Sequence, residues 1–136
     1  MPYQVYRITE TGLPRDHEAI YVATSDTNTS TTSSSVPGEN GHVYHVTGTI
    51  QTGMVFEHKP SGAPETSPLF AGKRHVGTVE AADYPGRFMA VCEGVPPPRK
   101  QFEGSRRLYP QERVRRCGEW AEEVVEALVK AEVLSV

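Results

Sequence analysis

The stretch from Val114 to Leu128 constrains the fold more than any other part of the chain. Val114, Cys117, Ala121, Val124, Val125 and Leu128 recur at helical spacing, while Glu119, Glu122, Glu123, Glu126 and Lys130 mark the opposite side. A helix with a single apolar stripe has to bury it against another layer, so this helix demands a partner elsewhere in the chain. Strands are the available partner. Residues 3–8 alternate and are rich in β-formers, residues 18–23 are almost continuously apolar with His17 at their entrance, and residues 42–46 alternate again. Further strands are expected at 49–52 with 53–58 and at 75–79, and a short helix at 81–93 carrying Phe88, Val91 and Cys92 on one face. The expected architecture is α+β: a small antiparallel sheet packed against the C-terminal amphipathic helix and a second short helix.

The chain has 136 residues, enough for one modest core and too few for two, so residues 1–136 are read as a single domain. Residues 24–40 are almost entirely Ser, Thr, Asn, Asp, Gly and Pro, a composition that cannot offset its ordering entropy by burial. They read as a flexible insertion that expands the turn of a hairpin between the second and third strands. Proline-rich loops are expected at 59–68 and at 96–98, and an irregular basic connector at 99–110.

Charge and hydropathy narrow the function classes. A formal charge of −3, with the one basic cluster confined to residues 106–116, gives no long-range attraction to phosphate polymers or anionic lipid. No apolar run approaches the ~18 residues of a bilayer span, and the polar start lacks the basic-then-apolar order of a secretory signal. These features predict a cytoplasmic protein with neither a nucleic-acid partner nor a membrane anchor. Two cysteines, Cys92 and Cys117, are then expected as free thiols.

Cys117 is the first candidate for chemistry. On the apolar stripe of the last helix a cysteine is ordinary packing, but Arg113, Arg115 and Arg116 crowd the start of that helix, where the macrodipole disfavours cations. Cations and a helix N-terminus both favour thiolate over thiol, which is how a nucleophilic cysteine is made at neutral pH. Such a nucleophile needs a base on a rigid element, oriented by a second polar group. If the second and third strands pair, His17 and His45 come close across the sheet and qualify. Arg115, Arg116 and Trp120 flank the cysteine and are the substrate-side candidates, although Trp120 reads first as a core residue.

Other constellations are weaker. His42, His45, His58 and His75 with Cys92 or Cys117 lack the close spacing of metal ligands, and His42 and His45, three apart on a strand, point to opposite faces. No glycine-rich phosphate loop is present, so neither metal nor cofactor is expected.

Two resemblances follow from these residues. His17-Glu18-Ala19-Ile20-Tyr21-Val22, then Val43-Tyr44-His45-Val46, then Arg116-Cys117-Gly118-Glu119-Trp120-Ala121 heading the last helix resembles the circularly permuted papain-like superfamily. That group includes lecithin:retinol acyltransferase, the deSUMOylating peptidases and bacterial cell-wall endopeptidases. The order His45-Val46-Thr47-Gly48, Ile50-Gln51-Thr52-Gly53-Met54, Pro96-Pro97-Pro98 with Lys100-Gln101-Phe102, and Arg115-Arg116-Cys117-Gly118-Glu119-Trp120 also resembles a family of small uncharacterised fungal proteins. The first resemblance implies Cys117 as nucleophile, His17 as general base and His45 as the group orienting His17. Arg116 stands where the acyltransferases carry Asn. The implied activity is a cysteine-dependent hydrolase or acyl/amide transferase acting on a small-molecule or peptide carbonyl. The alternative is a noncatalytic papain-like scaffold that binds a protein or small-molecule partner.

Overall fold

The computed structural model of the chain describes residues 3–11, 17–24, 41–62, 64 and 68–136. Five strands, β1 (Tyr3–Glu10), β2 (His17–Ala23), β3 (Gly41–Thr49), β4 (Gly53–Ser61) and β5 (Phe70–Val79), precede helix α1 (Gly86–Gly94). A two-residue pair, β6 (Phe102–Glu103) with β7 (Arg106–Arg107), leads to helix α2 (Cys117–Lys130) and the short β8 (Leu134–Ser135). The main sheet has six strands in the order β4-β3-β2-β1-β5-β8, with every pair antiparallel. The α+β expectation holds at this level.

Strand alternation divides the sheet into two faces. Val5 of β1, Ile20 and Val22 of β2, and Tyr44 and Val46 of β3 face the helices, where they meet Phe88 and Cys92 of α1 and Trp120, Ala121, Val124 and Leu128 of α2. Ile8, Ala19, Tyr21 and Val43 form a second buried cluster on the other face. Burial on both sides explains why residues 19–22 are continuously apolar: all four are buried. The helix stripe expected from the sequence is the face that α2 buries. At its end Glu132 turns through φ 63°, and the Val133 amide bonds back to the Leu128 carbonyl at 3.0 Å, which reverses the chain into β8.

Several boundaries differ from the sequence expectation. The helix read at 81–93 is a 3-10 turn at Ala81–Asp83 followed by α1, because Pro85 cannot continue a helix begun before it. Val114 lies outside α2. Arg116 is extended, at φ −128° and ψ −168°, and serves as the N-cap, so the helix opens on Cys117 itself. The strand expected at 75–79 starts at Phe70, and the basic connector contains the β6–β7 pair, turned at Gly104 with φ 61°. The insertion at 24–40 falls, from residue 25 onward, outside the described residues.

Gly77 fixes the join between β5 and β8. It follows a register shift in the β1–β5 ladder and has φ 154°, and a Cβ there would lie 2.4 Å from the Ser135 carbonyl oxygen and 3.0 Å from Leu134 Cγ. Backbone cannot give way as a side-chain tip can. Gly77→Ala is therefore expected to lose about 1–3 kcal/mol of stability through overpacking, read as a lower denaturant midpoint.

Candidate functional site

The strand register brings two of the predicted residues together. Ile20 pairs with Tyr44, so one step along the ladder His45 lies beside Ala19, and His17 is its diagonal neighbour on the same face. His17 Nε2 and His45 Nδ1 are 2.9 Å apart, with the rings edge to face at an interplanar angle of 69°. The two imidazoles line a pocket of about 280 Å³ together with Ile8, Glu10, Ala19 and Lys59 among others. Behind them, His45 pairs directly with Glu57 across β3 and β4. Among the described residues, the buried His45 Nε2 has no hydrogen-bond partner and lies 3.8 Å from Glu57 Oε1.

Burial sets the protonation of both rings. It pushes His17 below its ordinary value, against the opposing pull of Glu10 and Glu18, with Lys59 adding to the depression. It lowers His45 likewise, reinforced by His17 and Lys59 and opposed by Glu57 and Glu10. Below an ordinary value of 6.5 the unfolded chain takes up protons that the folded rings resist, so their contribution to stability is present above that pH. It is lost as the pH falls from there toward the depressed folded values. Denaturant midpoints measured from neutral pH downward should fall, with a shallower slope in His17→Ala.

Cys117 approaches the same strand from the helix side. As the first residue of α2 it accepts a hydrogen bond at Sγ from the backbone amide of Glu18, at 3.3 Å, and that amide belongs to the residue next to His17. The sulfur is partly buried against the main core and is not among the groups lining the pocket. The head of α2 is held in place from three directions. Arg7 bonds Glu18, Glu122 on α2 (2.6 Å) and the Gly118 carbonyl (3.3 Å). A Cβ on Gly118 would lie 2.9 Å from a Glu18 carboxylate oxygen, so the glycine leaves room for that carboxylate beside the helix. Gln101, buried and polar, accepts from the Arg115 amide at 2.8 Å and donates to the Arg115 carbonyl at 2.7 Å, fixing the backbone two residues before the cysteine.

The substrate-side candidates do other work. The Arg115 guanidinium is paired with Glu123 through contacts of 2.6 and 2.9 Å and donates to the Pro96 carbonyl at 2.6 Å. Arg116 caps the helix, its amide donating to Glu119 Oε1 at 2.7 Å. Trp120 is fully enclosed, lies against Phe56 with the rings tilted by 40°, and donates from Nε1 to the Val95 carbonyl at 3.1 Å. A residue so enclosed cannot touch a substrate, and Trp120 is a core residue. Cys92 is buried and its thiol is pushed up to about 12, chiefly by burial and secondarily by Glu93.

Among the described residues, no group of three or more His, Cys, Asp or Glu side chains is arranged to hold a metal. His42 and His45 lie on opposite faces; His42 Nε2 meets His58 Nδ1 at 2.9 Å, and His75 bonds Gln4 at 2.6 Å. No helix among the described residues is long and apolar enough to cross a membrane.

No curated protein and no solved structure matches the chain. A family model does match, from residue 5 to residue 135, a span that contains both imidazoles, Glu57, Gln101 and Cys117. The chain belongs to DUF6540, a family of unknown function.

Proposed function

We propose that the chain is a cysteine-dependent hydrolase or acyl/amide transferase of permuted papain-like arrangement, with Cys117 as nucleophile, His17 as base and His45 as the group that orients it. One observation carries the reading. His45 engages Nε2 of His17 and so leaves Nδ1 as the ring nitrogen for proton transfer, and the Cys117 sulfur rests on the amide of the next residue along β2.

In this mechanism Nδ1 of His17, the first residue of β2, takes the thiol proton. The thiolate attacks a carbonyl carbon, and the resulting oxyanion accepts hydrogen bonds from amides in the first turn of α2, which have no partner inside the helix. Collapse of the tetrahedral intermediate breaks the bond to the leaving group, which departs with the proton from His17. The thioester on Cys117 then passes its acyl group to water or an amine. Free thiols at Cys92 and Cys117 suit a reducing, cytoplasmic setting.

A second reading rests on a separate observation: the pocket is lined by both imidazoles and Lys59 but not by Cys117. On that reading the chain binds a small-molecule or protein partner without chemistry. Incubation with p-nitrophenyl acetate separates the two. The enzyme reading predicts a burst of p-nitrophenol and one acetyl group on Cys117 by peptide mass spectrometry, and acetylation confined to surface lysines would favour the binding scaffold.

A further inference from the structure

We infer that Glu57 is a positioning residue that fixes the tautomers of His45 and His17 and thereby keeps Nδ1 of His17 unprotonated. The inference rests on the thiol-enzyme reading above and assigns a role to a residue on a different strand from either histidine. The geometry is a row across three strands. Glu57 on β4 pairs directly with His45 on β3, and His45 meets His17 on β2 through Nδ1 and Nε2 at 2.9 Å. His45 is 8% exposed, and its Nε2 has no hydrogen-bond partner among the described residues but lies 3.8 Å from Glu57 Oε1.

A single proton lies between the two imidazoles, so there are two arrangements of neutral rings. In the first, His45 carries its hydrogen on Nε2 and presents it to the Glu57 carboxylate, His45 Nδ1 accepts from His17 Nε2–H, and His17 Nδ1 is left with a lone pair. In the second, His45 donates from Nδ1 to His17 Nε2, so His17 carries its hydrogen on Nδ1 and cannot take a proton from a thiol. That second arrangement also turns the buried lone pair of His45 Nε2 toward the Glu57 carboxylate, which is repulsive. The anion therefore selects the arrangement in which His17 is a base. Glu57 is itself 56% exposed, so a small rotation brings the carboxylate from 3.8 Å into hydrogen-bond reach without repacking. The other charged groups are Glu10 on β1 and Lys59 on β4, which line the same pocket, and Glu18 on β2, whose carboxylate is bound to Arg7. Among these the Glu57 carboxylate is the one at 3.8 Å from His45 Nε2.

Ring ¹⁵N spectra of the full chain at neutral pH read the tautomers directly. In the wild type both rings are expected as the Nε2–H form. Glu57→Ala is expected to bring the Nδ1–H form of His17 into the spectrum, and to slow alkylation of Cys117 by about 10-fold, the scale on which partners of oriented histidines act, with the melting midpoint unchanged. Glu57→Gln, whose amide oxygen can accept the same bond, is expected to restore the wild-type tautomers. Unchanged rings in Glu57→Ala, or Nδ1–H on His17 in the wild type, would overturn the role of Glu57. The same spectra taken in Cys117→Ser are independent of the thiol. A wild-type Cys117 no more reactive than an ordinary thiol, with rings that still respond to Glu57, would overturn the enzyme reading and with it the catalytic purpose of Glu57, leaving tautomer control alone.

Discussion

Trp120→Ala is expected to remove about 3–5 kcal/mol of stability, a large part of the ~5–15 kcal/mol that holds a domain of this kind together. Trp120 is the largest fully buried side chain, and it sits in the layer where α2 meets the sheet. Truncation deletes its contacts with Phe56 and leaves a cavity that the strands around it can close only in part. It also strips the Val95 carbonyl of its donor. Trp120→Phe should cost less, since most of the volume stays and the lost hydrogen bond remains as the main penalty. Denaturant midpoints and near-ultraviolet circular dichroism measure both variants. A Trp120→Ala chain with the wild-type midpoint would mean that the side chain packs against nothing essential, and would return Trp120 to the substrate side.

The same comparison shows what the sequence carries and what it leaves out. The periodicity of residues 114–128 identifies the buried face of α2, because a stripe of apolar residues is a local signal that packing then uses directly. His17 and His45 are legible as a pair because antiparallel strands have a register, and a residue at the start of one strand can be matched to its partner before any coordinates are known. Arg115 and Trp120 are ambiguous in the sequence for a physical reason. A cation or an aromatic ring beside a cysteine looks alike in sequence whether it faces a ligand or is already bound to Glu123 or enclosed under Phe56. Gln101 gives no sequence signal at all, since its three hydrogen bonds to the backbone of Arg99 and Arg115 depend on tertiary folding of the connector. Glu57 lies between these cases. With the turn fixed so that Thr49 pairs with Gly53, counting back along the two strands places Glu57 opposite His45. The missing element is the position of that turn, which the expectation of a bent pair of strands at 49–58 leaves open.

Cys117→Ser is expected to abolish rapid alkylation of the native chain and any acyl transfer while leaving the melting midpoint within a few tenths of a kcal/mol of wild type, about the scatter of a neutral surface change. Cys117 is only partly buried, and its sulfur accepts a hydrogen bond from the Glu18 amide that a serine hydroxyl can also accept. The second thiol gives an internal control, because Cys92 is enclosed and its thiol is held at about 12 by burial first and Glu93 second. Iodoacetamide near neutral pH should therefore label Cys117 alone until the chain unfolds. His17→Ala tests the base: loss of general-base assistance is on the order of 10²-fold or more in turnover, whereas a cysteine that is merely accessible would keep its alkylation rate. The pH dependence has a fixed sign. Burial lowers His17 below its ordinary value of 6.5, so the ring is neutral and competent at neutral pH, and turnover should fall only as the pH drops through that depressed value. Retention of both alkylation rate and burst in His17→Ala would detach the cysteine from the imidazoles, and the pocket they line would then be a binding site that Cys117 does not serve.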